Sequence, residues 1–442
     1  MAAAPVRHEY ELEDRSMTRP PALDWPMPPQ AGAGKCTGNF FVLEYNAADE
    51  SFAAGLLYEG NIVQVGAFSR GLIGEERDSL TRTVIAHAVS SSRSRYRVRP
   101  GICVELAFDT IADGKLVNPE FRSFQLAARW EDCTWDRLLV DNASARRQGL
   151  KLTNPDKRIW EDKQITKEKY WSYLIQISPY LLPFLERRTL TLIRYPQGME
   201  GDFFYQKHCP DYAPDWIQTE PEDGISYIVC NDLPSLLWLG NQAAVEFHIP
   251  FHQIGMNKPY EIVFDLDPPS RDRFDLAVKA ALEMKRILDG FGIVGYPKVS
   301  GGKGLQIHIP VHRLPSVDYD AARVFTSFAA RYLTEKFPNE FTVERLKKNR
   351  GGKLYVDYIQ HAPGKTIVAP YSARGNWEAT VAAPLYWDEV NAALSPSRFT
   401  VPDMPERLRR NGCPMRDYRE QTNEPLLRVI SQLKANAFAG VT

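Results

Sequence analysis

Two aspartates one residue apart, Asp265 and Asp267, close the apolar run Glu-Ile-Val-Phe-Asp-Leu-Asp just before Pro268 and Pro269. The β-branched and aromatic composition, cut off by a double proline, predicts a strand that ends sharply, because proline has no N–H to extend a ladder. Strand side chains alternate, so the two carboxylates share one face while Phe264 and Leu266 pack on the other. Neighbouring carboxylates repel and resist leaving water, so the pair needs a cation to stay ionised, and a divalent metal is the obvious candidate. The competing explanation is a solvated strand end, where Asp before Pro opens a turn. A third acid, Asp357, sits within another apolar run, Leu-Tyr-Val-Asp-Tyr-Ile. Three carboxylates are what a two-metal centre requires, with ions roughly 3.5–4 Å apart.

Other groups could serve the same chemistry. Ser300-Gly-Gly-Lys-Gly304 lies between two strand-like runs. A glycine-rich turn lets backbone N–H groups approach phosphate oxygens, with Lys303 adding a point charge and Ser300 a hydroxyl. Glycine hairpins without ligands are common, so position beside the aspartate strand is what makes this one informative. Upstream, Phe203-Phe204-Tyr205-Gln206-Lys207 places aromatics beside a cation, the equipment for stacking an unpaired base. An aromatic trio on a strand is more often core, and the pattern alone favours core.

Around these groups the chain divides by texture. Its 442 residues, 44% hydrophobic and 25% charged, allow two to three domains and exclude disordered and membrane classes. No apolar run approaches the roughly 18 residues of a membrane span, and a cytoplasmic location is expected. The formal charge of -1 excludes nothing, since a global sum hides local stripes. Six scattered cysteines without a C-x-x-C pair read as reduced and mostly buried. Residues 1–35 read as a flexible, proline-rich tail, 36–138 as a small all-β barrel, 139–149 as a polar linker and 150–442 as a second domain. Arg93, Arg95, Arg97 and Arg99 at period two would form a cationic strand face; a solvated strand face or a basic loop explains them nearly as well. In the second domain Thr166 reads as the N-cap of a helix that Pro179 breaks. A helix over 273–289 is stopped by Gly290, a strand covers 293–299, another helix covers 318–336, and two modest helices near 387–394 and 424–437 complete the chain.

The motifs, in order, carry a resemblance. Arg-Tyr-Pro-x-Gly, Phe-Phe-Tyr-Gln-Lys-His, Asp-Leu-Asp-Pro, Ser-Gly-Gly-Lys-Gly-Leu, Val-Asp-Tyr and Ile-Val-Ala-Pro-Tyr-Ser-Ala-Arg resemble the polymerase domain of bacterial ligase D, in the archaeo-eukaryotic primase superfamily, from about Leu150 to Trp387. Residues 65–72 and 99–121 resemble the OB domain of ATP-dependent DNA ligases, but the following basic motif is degraded to Gln125–Trp130 and no Lys-x-Asp-Gly occurs, so no ligase activity is expected. The implied fold class is α+β: a primase-polymerase domain with an RRM-like catalytic sheet, preceded by a small all-β OB barrel.

The resemblance implies a nucleotidyltransferase that adds ribo- or deoxyribonucleotides to a DNA 3' end in bacterial non-homologous end joining, using two Mn2+ or Mg2+ ions. Asp265, Asp267 and Asp357 would hold the metals. His248, Ser300, Gly302, Lys303, Gly304, Gln306, His308, Arg350 and Arg374 would bind the nucleoside triphosphate. Asn154, Lys157 and Lys167 would meet the 5'-phosphate of a DNA end or gap, with Arg194, Phe203, Phe204 and Lys207 along the DNA. This role reverses the preference for a core aromatic trio. Two departures stand out: Gln306 occupies the usual histidine position, with His308 two residues on, and Ile193 stands where relatives often have lysine. Implied partners are the end-bridging protein Ku and a separate DNA ligase. The alternatives are a non-catalytic DNA-end-binding scaffold, which the three retained aspartates argue against, and a two-metal nuclease, which the glycine-lysine loop fits less well.

Overall fold

A computed structural model describes residues 34–439 and separates the chain into two compact units, residues 1–145 and 146–442. The expected tail falls almost wholly outside the described residues.

The first unit is a curled antiparallel sheet, a half-barrel, built on the long strand Cys36–Asn46. One edge of this strand pairs with Ser51–Tyr58, while the other pairs first with Cys103–Phe108 and then with Arg95–Arg97. A register slip between Val42 and Glu44 bends it, which lets one strand serve three partners. Phe40, Phe41 and Phe52 are fully buried in the core of this unit. Residues 139–144, expected to open the linker, are instead the end of the helix Trp135–Ser144. Thr134 caps its first turn, and Leu138, Leu139 and Ala143 are buried, so apolar spacing outweighs polar content. The arginine stripe is folded into a hairpin, with Arg93 in a left-handed turn and Arg95 and Arg97 both paired to Glu44.

In the second unit, helix Lys167–Leu185 starts at Thr166, whose hydroxyl accepts from Lys169 N–H. Pro179 and Pro183 lie inside it, against expectation. Pro179 has no N–H for the Ile175 carbonyl, and the Ser178 hydroxyl donates to that oxygen instead at 2.8 Å. Two sheets follow. The aspartate sheet has the order Tyr296–Val299, Leu305–Pro310, Glu261–Asp267, Leu354–Asp357, Phe341–Thr342. With the helices Phe274–Phe291 and Tyr319–Lys336 its four longer strands follow a β-α-β-β-α-β path. The first of these helices runs past Gly290 to Gly292, which adopts the left-handed cap. The second sheet is antiparallel, ordered Phe204–Gln206, Thr191–Arg194, Ala244–Pro250, Thr366–Val368. Near the C-terminus only a short turn, Trp387–Glu389, forms where a helix to 394 was expected, and a helix at Asp403–Asn411 was not foreseen. Among the described residues no helix is long and apolar enough to cross a membrane.

Candidate active site and nucleic-acid cleft

Strand pairing brings the acids together. Asp265 lies directly opposite Asp357 on one neighbouring strand and opposite Gln306 on the other. Phe264 and Leu266, on the reverse face, are completely buried and anchor the strand. Burial, then the Asp267 charge, push the Asp265 carboxyl up to about 6; Asp357 adds to this, while a hydrogen bond from Gln306 Nε2 at 3.2 Å opposes it. Asp267 is held between two cations, Lys303 Nζ at 2.9 Å and Arg350 Nη1 at 3.0 Å. Arg350 also donates to the Glu344 and Arg345 carbonyls and lies 4.1 Å from the Tyr355 ring centroid. Asp357 Oδ1 accepts from Ile359 N–H at 3.2 Å. Among the described residues no three acidic, histidine or cysteine side chains already converge as an ion-binding cluster. The donor set nevertheless fits Mg2+ or Mn2+: the groups are hard carboxylate oxygens, and the cations near Asp265 do not offset the burial and like charges that raise its carboxyl.

The glycine loop is braced from both sides. Ser300 Oγ accepts from the N–H groups of Gly302 and Gly304 at 3.2 and 3.1 Å. Gly301 has φ +73° and packs so closely that a Cβ would lie 2.9 Å from the Val381 carbonyl. Arg374 donates to the Ser300 carbonyl at 3.0 Å and Asn376 to that of Gly301 at 3.1 Å. Arg374 also pairs with Glu246 at 3.4 Å, and Glu246 accepts from Gly375 N–H at 2.9 Å and contacts His248 Nε2 at 2.8 Å. Burial works against the Glu246 carboxylate, but His248, Arg374 and Gly375 outweigh it and hold its pKa below the ordinary value.

A second cleft, of about 230 Å³, gathers Asn154, Lys157, Lys167 and Arg194. Lys167 is only 5% exposed, with its ammonium on the Thr153 carbonyl at 2.7 Å, the Thr153 hydroxyl at 3.3 Å and Asn241 Oδ1 at 2.9 Å. Burial, then Lys157, pull its pKa down to about 8. Beside the cleft Phe203, Phe204 and Tyr205 are all exposed rather than core. Arg194 lies 5.1 Å from the Phe204 ring centroid and is fixed by Gln206, Tyr212 and Gln242. Lys207 is exposed nearby in the chain.

Residues 166–415 match the family described as LigD, primase-polymerase domain. The chain belongs to the LigD primase-polymerase family. It is 43% identical over 391 residues to the bifunctional non-homologous end joining protein LigD of Bacillus subtilis, covering 88% of this chain and 64% of that protein. It is 31% identical over 252 residues to the multifunctional non-homologous end joining protein LigD of Mycolicibacterium smegmatis, covering 55% of this chain and 33% of the relative. The chain therefore spans less than two thirds of either relative. Its fold matches the polymerase domain of Mycobacterium tuberculosis ligase D in complex with DNA, with a TM-score of 0.56 and 29% identity, over 61% of this chain and 97% of that one.

The expected nucleotide residues divide. Ser300, Gly302, Lys303, Gly304, Gln306 and Arg350 stand at or beside the aspartates, and Arg374 and His248 join them through Glu246. His308 does not. It is 1% exposed and its Nδ1 is 2.8 Å from Glu261, which also binds Arg188 at 3.0 Å and Tyr418 at 2.6 Å. Burial lowers the His308 pKa, and Arg188 and Tyr418 help hold Glu261 ionised against its own burial. Glu246, Glu261 and Lys298 were missed. Each is a charge within an apolar strand, the same signal that singled out Asp357.

Proposed function

We propose that this protein is a DNA-repair nucleotidyltransferase that extends a DNA 3' end with ribo- or deoxyribonucleotides across gaps and ends in bacterial non-homologous end joining. The supporting observation is the pairing of Asp265 with Asp357 beside Lys303 and Arg350, so that acids for metals adjoin cations for a triphosphate. Asp265, Asp267 and Asp357 would hold two Mn2+ or Mg2+ ions, which when bound activate the attacking hydroxyl and neutralise the triphosphate. Lys303, Arg350 and the loop N–H groups orient the phosphates, and His248, fixed by Glu246, borders the nucleotide. Asn154, Lys157 and Lys167 take the 5'-phosphate, and Phe203, Phe204, Arg194 and Lys207 take the DNA strand. The β-α-β-β-α-β sheet serves as the RRM-like catalytic sheet, and the half-barrel as an OB-type module without ligase activity. Ku and a separate DNA ligase complete the pathway.

The test is primer extension across a short 5'-phosphorylated gap with Mn2+ and ribo- or deoxyribonucleotides. Wild-type protein extends the primer, and Asp265→Ala with Asp357→Ala abolishes the product. No wild-type product under either metal, or undiminished product from the double variant, overturns the reading.

A further inference from the structure

Four polar side chains form a row across the aspartate sheet. Lys298 lies opposite Gln306, Gln306 opposite Asp265, and Asp265 opposite Asp357. Directly paired residues on antiparallel strands share a face, with Cβ atoms roughly 4.5–5.5 Å apart. Lys298 is 0% exposed. A lysine amino group is costly to bury without acceptors, and burial, then Arg374, pull the Lys298 pKa down to about 7; the group gives one bond, to the Val368 carbonyl at 3.1 Å on the second sheet. Its neighbour has the complementary deficit. Gln306 Nε2 donates to Asp265, while Gln306 Oε1 is buried without a hydrogen-bond partner.

A primary amide carries its oxygen and nitrogen on opposite sides. With the nitrogen turned to the aspartate strand, the oxygen is turned to the other neighbour, the strand bearing Lys298. The reverse orientation would set amide oxygen against carboxylate oxygen. We propose that Lys298 is a positioning residue for nucleotidyl transfer, whose terminal N–H donors attract the Gln306 amide oxygen and so keep the amide N–H on Asp265. This rests on the proposed nucleotidyl transfer. It gives Gln306 a role that differs from binding a phosphate: it orients the carboxylate that would hold a metal. Because the same nitrogen donates to Val368, the second sheet is tied to that orientation.

Lys298→Met tests this, since it fills similar volume without donors or charge. Expected are a half-saturating Mn2+ concentration in primer extension raised roughly tenfold or more, and a matching loss in calorimetric Mn2+ affinity, with nucleotide and DNA KM little changed. Lys298→Arg, which keeps N–H donors at this position, should retain most of the Mn2+ affinity. In a Gln306→Leu background Lys298→Met should add nothing further, because both act through one amide. Should Lys298→Met not fold, Lys298→Gln, which keeps a donor for Val368, carries the same comparisons. Unchanged Mn2+ affinity, or full additivity with Gln306→Leu, overturns the proposal and leaves Lys298 as a tie between the sheets. A wild type that extends primers while these variants match it sinks this inference alone; an inactive wild type sinks the reading beneath it.

Discussion

If Asn154, Lys157 and Lys167 take a 5'-phosphate as proposed, the preference for a 5'-phosphorylated gap should weaken as pH rises past 8. Lys167 is nearly buried, and burial together with Lys157 pulls its pKa from the ordinary 10.5 to about 8. Its three donors are already used on Thr153 and Asn241, so what it offers a phosphate is charge. A phosphate dianion in the cleft favours the ammonium and raises that pKa again, so binding takes up a proton. Affinity is then nearly level below the free value and falls as pH climbs between the free and bound values. If the phosphate restores the pKa to about 10, linkage gives a loss of roughly tenfold between pH 7 and 9, or about 1.4 kcal/mol. The second ionisation of the phosphate, near pH 6, is essentially complete in that range. The assay is competition anisotropy between gapped DNAs with and without the 5'-phosphate, at fixed ionic strength because phosphate contacts are salt-sensitive. Taking the ratio cancels groups that titrate equally in both complexes. Lys167→Met should bind with a flat ratio. A wild-type ratio that stays level or rises from pH 7 to 9, or a Lys167→Met ratio that slopes as the wild type does, refutes the reasoning.

Phe203→Ala and Phe204→Ala should each leave stability within about 0.5 kcal/mol, since both rings are exposed, yet weaken binding to a single-stranded overhang by about 1–3 kcal/mol, measured by anisotropy. Gly301→Ala should cost about 1–2 kcal/mol of stability and raise nucleotide KM by about tenfold, because the new Cβ meets the Val381 backbone in a left-handed conformation. Gly302→Ala, which meets only Ser300 Oγ at 3.6 Å, is the control; equal effects from both would count against the loop geometry. Arg188→Met strands the buried Glu261 carboxylate and should destabilise by about 3–5 kcal/mol in urea denaturation, and a neutral result would remove the importance assigned to that pair.

Local grammar carried much of the site into view. Alternation put Asp265 and Asp267 on one face, and the same rule set Asp357 apart as a charge in an apolar strand. Thr166 capped the helix that its hydroxyl and spacing promised. Where local grammar failed, a partner distant in sequence or an adjacent side chain had intervened. Pro179 did not end its helix because Ser178 supplies the missing donor. Two members of the arginine stripe, Arg95 and Arg97, lie on one face and share Glu44, about fifty residues earlier, a partner no local pattern announces. His308 points to Glu261, 47 residues away, whose carboxylate also accepts from Tyr418, 157 residues from Glu261. Nothing in a single strand announces which buried charge lies across the sheet.

The aromatic pair at the cleft is mounted rather than free. Phe203 stacks on Tyr195 with ring centroids 5.5 Å apart, and Phe204 has the Arg194 guanidinium over one face. Each ring therefore has a backing plate, and Phe203 also has the Tyr205 ring edge-on 6.2 Å away. A ring with both sides open can wedge between two bases and prise them apart, whereas a backed ring can only be the last layer of a stack. If they meet DNA as proposed, Phe203 and Phe204 would act as end-stops, where a strand's terminal or unpaired base comes to rest, and would give the cleft a direction.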